Sequence, residues 1–461
     1  MNLLVLASDV PHRRHGLGGV TAVNIVLYEL LTGLLSCGAK LSLQIIFNKW
    51  RTVNALSPEE TEELKNLESL GVRVLPAIYP HDYLNGRQVP GMVERVGKLA
   101  RFLSGMVRVS DVYPVTRVRD EMAARLPQIS PDAILTIWSP EGVAATYGLK
   151  GVTKVAYHGD IEFGPAEARM SDSDLFRTDL NAGSRSEGIW KRSVRYLYDR
   201  LWLAQFKQAH ARLMCDLDVI GNVTATNIQY YREHGHRRST YIRNTWSDPA
   251  EAGASPEFNP GGAQGPVKII GHVGYLNRTG STYGLKYLGE LMPVLDEVMD
   301  GVPYEMHVIG GGEPVPAVRS LLQHPRIVRR GFIEDLDREL NSASVFLFLN
   351  NTGRHLAAYT RHVMAWAMSH CLVVHVNSVK TIPEIVHMEN TLVGETLLEI
   401  ATLIRRAATD AELNAAIRRG GRKTYEEQFK PQLVAVSLYK EIERAMATKQ
   451  TRRKSISSVV V

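Results

Sequence analysis

Short apolar runs recur along the chain, and between them the apolar residues fall at helical rather than alternating spacing. The pattern is clearest in residues 267–376. Residues 267–274 run apolar into Gly274, and residues 306–313 run apolar into Gly310, Gly311 and Gly312. Two further runs, at 344–350 and 371–376, flank an amphipathic segment. Continuous apolar strands alternating with helical patterns predict a parallel sheet covered on both faces. Such sheets bind ligands beyond the carboxyl ends of their strands. The three glycines leave room for a phosphate beside backbone N–H groups at a helix start, and they equally suit a tight strand-to-helix turn.

The same rhythm is present from the N-terminus. Residues 3–7 predict a strand, and a loop over 8–19 ends in Gly18 and Gly19. Val23, Val26, Leu27, Leu30 and Leu31 then give a helix. Further strands are predicted at 41–47, 71–76, 131–138, 151–159, 213–220 and 239–243, with a long basic helix at 190–211. Residues 161–188 are polar and irregular, which predicts a loop over a site. In residues 92–109, Met92, Val96, Leu99, Leu103, Met106 and Val107 share one helical face, and Arg95, Lys98, Arg101 and Arg108 share the other. That fits a helix lying on a membrane surface or a crossover helix with a solvated face. A stretch rich in Pro, Gly and Ala at 249–266 predicts a linker. The predicted units are a first half over 1–248, a second over 267–430, a helix over 431–448 redirected by Pro431, and a basic tail over 449–461.

Composition narrows this only a little. The chain has 461 residues, 44% hydrophobic and 22% charged, with a formal net charge of +6. The charge suits anionic partners such as nucleotides or phospholipid surfaces. No basic motif interleaved with aromatics points to nucleic acid. Cys37, Cys215 and Cys371 are few and widely spaced, which predicts core thiols in a reducing, cytoplasmic setting rather than disulfides or zinc. Two Asp-x-Asp triplets, Asp216–Asp218 and Asp172–Asp174, lack further oxygen ligands nearby in sequence, so no metal site is expected.

Two tandem doubly wound halves with a glycine loop after the first strand resemble the retaining glycosyltransferases of family 4. The resemblance covers most of the chain and is strongest over residues 267–429. Residues 274–284 resemble that family's donor-phosphate loop, and residues 306–313 its strand and glycine turn. Residues 365–368 and 372–374 resemble a helix and strand, and Ile382, Pro383, Glu384, Ile385 and Val386 with Glu389 and Asn390 the next motif. Gly18 and Gly19 resemble the acceptor-side loop, and His158 stands where the family has a histidine near the transferred sugar.

The resemblance implies the GT-B architecture, two Rossmann-like domains facing a central cleft. It also implies an enzyme that moves a sugar from a nucleotide-activated donor to a glycan or lipid-linked acceptor. No cofactor or metal is expected, and peripheral membrane contact is compatible. The candidates are His158 and Arg278 for catalysis, Gly274, Gly310, Gly311, Asn351, Thr360, Arg361 and Glu384 for donor binding, and Gly18 and Gly19 as a phosphate loop. Arg278 stands in for a basic pair, and Asn351, Thr360 and Arg361 are polar groups near the loop and helix start. The sequence also departs from the family. Tyr275 and Tyr283 replace a basic pair, Met364 or Ala365 replaces a ribose-binding carboxylate, and residues 352–358 carry no carboxylate. The ribose end is therefore expected to rely on other polar groups.

Overall fold

The computed structural model describes residues 1–13, 22–48, 51–80, 92–113, 115–176, 189–249, 265–333 and 335–457. Among these, the first sheet comprises β1 (Asn2–Ala7), β2 (Lys40–Ile45), β3 (Arg73–Val74), β4 (Ala133–Ile137), β5 (Thr153–His158), β6 (Val219–Asn222) and β7 (Ser239–Tyr241). Its order is β3-β2-β1-β4-β5-β6-β7. The second comprises β8 (Val267–Val273), β9 (Tyr304–Ile309), β10 (Ile327–Gly331), β11 (Val345–Phe348), β12 (Leu372–His375) and β13 (Leu392–Gly394), in the order β10-β9-β8-β11-β12-β13. All these pairings are parallel. In each sheet the order reverses once, between β1 and β4 and between β8 and β11. Those reversals open the crevices where α/β sheets take ligands.

The helices that bear on function are α1 (Ala22–Ser36), α2 (Met92–Leu103), α3 (Gly164–Ser171), α4 (Ile189–Cys215), α5 (Ala225–Glu233), α6 (Thr279–Val298), α7 (Thr360–Ala367) and α8 (Pro431–Ser457). Both faces of the central strands are buried, as their apolar runs require. Leu3, Val5 and Ala7 of β1 join one apolar cluster while Leu4 and Leu6 join another. In β11, Phe346 and Phe348 face one way and Val345 and Leu347 the other. Pro431 opens α8, and Val434, Ala435, Leu438 and Ile442 pack it against α1 of the first half. Gly33 permits that approach, because a Cβ there would lie 2.5 Å from the Ala435 side chain.

Several expectations are corrected. The strand read over 213–220 is only Val219–Asn222, because α4 runs on to Cys215 and buries Leu213 and Met214 as helical residues. The basic tail read from 449 is helical to Ser457. Its start is tied down by Lys449, whose Nζ donates to the Val152 carbonyl at 2.6 Å and to Asp218 at 2.7 Å. Of the cysteines only Cys371 is buried, and Cys215 is exposed. Within 161–188, residues 164–171 form α3 rather than irregular loop. Gly18, Gly19 and most of the 249–266 linker lie outside the described residues.

Candidate functional site

The site starts at the carboxyl end of β8. Gly274 leaves the strand at φ 117° and Gly310 leaves β9 at φ 134°, a region that favours glycine. A Cβ at Gly310 would lie 2.0 Å from the Gly274 carbonyl oxygen, so the two loops meet backbone to backbone. The Gly274 N–H donates to Ile309 at 2.9 Å, and the Leu276 N–H to Gly311 at 2.9 Å. No atom lies near the Cβ position of Gly311, which leaves its surface open.

The loop then turns into α6. Arg278 is its N-cap residue, is exposed, and makes no side-chain cap. Its guanidinium lies 5.5 Å from the Tyr275 ring centroid. Thr279, Gly280 and Ser281 form the buried first turn, whose N–H groups have no partner within the helix. Arg361, second residue of α7, stands against Gly274, with its guanidinium carbon 5.4 Å from the Phe348 ring centroid and 5.2 Å from that of Tyr359. Burial lowers its pKa to about 10.

A third guanidinium arrives from the other half. Arg169 on α3 donates from Nη1 to the Thr279 hydroxyl at 2.9 Å. Burial, then Arg278, lowers its pKa. Among the described residues, Arg169, Arg278 and Arg361 have no carboxylate partner. Arg169 and Arg278, at the positive end of a 20-residue helix, repel each other and the helix dipole. A bound anion would relieve both.

α3 is held across the cleft by neighbouring contacts. The Tyr283 hydroxyl donates to Asp172, Arg354 pairs with Asp172 at 3.3 Å, and the Phe176 ring packs on Tyr283 at 5.4 Å. Nearby, His355 Nε2 lies 3.3 Å from Asp160, and the Ala358 N–H donates to Thr224 Oγ1 at 3.0 Å. Tyr283, on α6, thus braces α3 through Asp172 and Phe176.

On the first half, His158 ends β5 with 4% exposure. Burial lowers its pKa to about 4, so the ring is neutral at neutral pH, and its Nε2 has no hydrogen-bond partner. At the end of β4, Trp138 holds φ 45° and stacks on Tyr157 at 5.9 Å. The indole lines Gly159, the residue after His158. A non-glycine residue in this conformation is strained, and such residues gather at functional sites.

Other predicted residues have different occupations. Asn351 is fully buried and holds its own loop: Nδ2 donates to Ala357 O at 3.0 Å and the Ala357 N–H returns to Oδ1 at 3.0 Å. It has no free group for a ribose. Glu384 accepts from the Tyr241 hydroxyl at 2.9 Å and from Arg243 Nε at 2.6 Å, which makes it a strut between the halves. Thr360 opens α7 and is half-buried. Met364 and Ala365 are core residues. Asp216 and Asp218 are taken by Lys154 and Lys449. Ser139 is a buried cap accepting from the Gly142 N–H at 3.0 Å.

Arg169 and Trp138 had no motif to announce them. The one available signal was Tyr283 in place of a cation, which invites a search for a replacement in the polar stretch 161–188.

No protein-family model matches the chain, and no curated protein matches it in sequence. Solved structures do. Sucrose-phosphate synthase from Thermosynechococcus elongatus is similar with a TM-score of 0.59 at 12% identity, over 97% of this chain and 100% of that one. The UDP-forming α,α-trehalose-phosphate synthase from Burkholderia xenovorans, in complex with glucose-6-phosphate, gives 0.56 at 11% identity, over 95% and 99%. Anabaena HepE in complex with UDP-glucose gives 0.54 at 11% identity, over 97% and 100%. At these identities the likeness is one of fold: the chain has the GT-B architecture, two doubly wound parallel sheets on either side of a shared cleft.

Proposed function

We propose that the chain is a glycosyltransferase that moves a sugar from a nucleotide-activated donor to a glycan or glycolipid acceptor, with retention at the transferred carbon, in polysaccharide or cell-envelope assembly. Arg169 and Arg278 at the first turn of α6, with Arg361 against the adjacent Gly274, carry this reading. A diphosphate there neutralises the three cations and satisfies free N–H groups. When the bond from the sugar carbon to the diphosphate oxygen breaks, the electron pair stays on that oxygen. Positive groups and backbone donors fixed at the spot favour this charge. The acceptor oxygen then bonds the sugar carbon and gives its proton to the departing diphosphate. Neutral His158 offers one ring nitrogen as donor and the other as acceptor to a sugar hydroxyl. The GT-B fold and the UDP-glucose held by one structural neighbour support the same reading.

A second reading is a nucleotide-binding member of the fold without turnover. It is favoured by the apolar burial of Met364 and Ala365 and by the prior engagement of Asn351 and Glu384. Incubation with a panel of sugar nucleotides, following nucleoside diphosphate release, separates the two. The enzyme reading expects slow hydrolysis of at least one donor. Calorimetric binding without any release would favour the second reading, and no binding would reject both.

A further inference from the structure

Two helices of the first half present apolar side chains to solvent. On α2 these are Val93, Val96, Leu99 and Leu103, with Val93 87% and Leu103 73% exposed. At 100° per residue they fall within one arc of the helix. The opposite side anchors it: Phe102 packs on the core and Arg101 pairs with Asp111 at 2.7 Å. Of the amphipathic segment foreseen from sequence, Val96, Leu99, Leu103 and Met106 are turned outward and Val107 is buried. On α4, Val194, Tyr196, Leu197, Tyr198 and Trp202 are exposed, Tyr198 by 66%. The two helices are rooted together: Phe102 and Phe206 pack on one apolar cluster, and Arg212 of α4 donates to the carbonyls of Gly105 and Val107 just beyond α2.

Charge is concentrated in the same place. α2 carries three basic residues against one acidic, and α4 six against one, a total of +7. The whole chain carries +6, so the rest of the molecule sums to −1. Between the roots of the helices lies a cavity of ≈ 230 Å³ lined by Arg108, Ser110, Tyr113, Arg119, Tyr147 and Arg212.

We infer that this face docks on an anionic phospholipid surface. Apolar residues flanked by Lys and Arg insert beneath headgroups while the cations meet the phosphates. Exposed Tyr and Trp suit the depth where lipid gives way to water. Nucleic acid would satisfy the charge and leave the outward Val and Leu in water. A second copy would cover the apolar side chains but set two net-basic helix pairs against each other. Among the described residues no helix is long and apolar enough to cross a membrane, so the contact is one of lying on the surface. The inference does not depend on donor chemistry.

The test is co-sedimentation of the full chain with vesicles of mixed phosphatidylcholine and phosphatidylglycerol, beside phosphatidylcholine alone. The expected result is binding to the anionic vesicles only, weakened by salt, since exposed charges are screened beyond about 10 Å at 0.1 M. Leu99→Gln with Leu103→Gln, and separately Leu197→Gln with Tyr198→Ser, should each lower partitioning about tenfold or more. Both pairs are exposed, so circular dichroism and pyrophosphate binding should match the parent. Absence of anionic-vesicle binding, or binding unchanged by both pairs, overturns the inference. So does a concentration-dependent dimer that these substitutions dissolve while vesicle binding stays absent.

Discussion

At the first turn of α6, Arg169 and Arg278 meet, with Arg361 against the neighbouring Gly274, and among the described residues none of the three has a carboxylate partner, whereas the loop before α7 spends part of its polar side chains on itself. Asn351 closes its own loop, and Thr352 Oγ1 donates to the carbonyls of Leu349 at 2.9 Å and Tyr283 at 3.2 Å. Met364 and Ala365 are packed into the core. One end of the candidate donor site is over-supplied with charge, and the other lacks the group that would read a ribose most strongly. Under the proposed donor reading, the contrast means that recognition is weighted toward the diphosphate and that the opposite half delivers part of its site.

The comparison can be broken most severely at Arg361. Arg361→Ala should lower turnover by about 10²–10³-fold, the usual effect of deleting one donor to developing charge. A loss of only a few-fold in steady-state rate would remove Arg361 from the phosphate end. Next is His158→Ala, expected to reduce kcat by ~100-fold with near-parental thermal stability. Equal kcat in the variant would leave His158 a structural residue.

The ribose end yields a smaller effect that sharpens the contrast. Because no carboxylate is free there, UDP should bind within about tenfold of inorganic pyrophosphate. A charged acceptor for the ribose hydroxyls would add roughly 1.5–3 kcal/mol, or about 10- to 150-fold. Calorimetry with both ligands decides it, and a much larger preference for UDP would mean that the ribose meets a charged group elsewhere.

Acid sensitivity is a further and gentler check. Burial lowers the pKa of His158 to about 4 and those of His210, His362 and His370 to about 3. The unfolded chain, with ordinary histidine pKa values near 6.5, binds protons that the native state refuses. Stability is therefore full above about pH 6.5 and falls as pH drops toward 4. His370→Phe should flatten that slope in denaturant titrations, and an unchanged slope would contradict the assignment.

Much of the fold was legible because buried parallel strands read as unbroken apolar runs. β10 and β13 were not, since Ile327–Gly331 is an edge strand with exposed arginines and Leu392–Gly394 has only three residues. The end of α4 was misread because Leu213 and Met214 are as apolar as the strand that follows. The glycine loop was visible as a motif, and Arg361 as a basic residue at a helix start. Arg169 was not, because its role depends on α3 reaching across the cleft, which no local pattern encodes. Asn351 and Glu384 show why such positions are hard to read, since polar residues beside a binding loop equally build the loop and brace the halves.

The central claim is an anion site shared by the two halves, and Arg169 is its most exposed point. Titration of inorganic pyrophosphate into the parent and Arg169→Ala, at low and moderate salt, tests it directly. The account predicts binding to the parent, a loss of about tenfold or more in the variant, and a shallower salt dependence once one cation is gone. Equal affinity and equal salt dependence in the two proteins would contradict it.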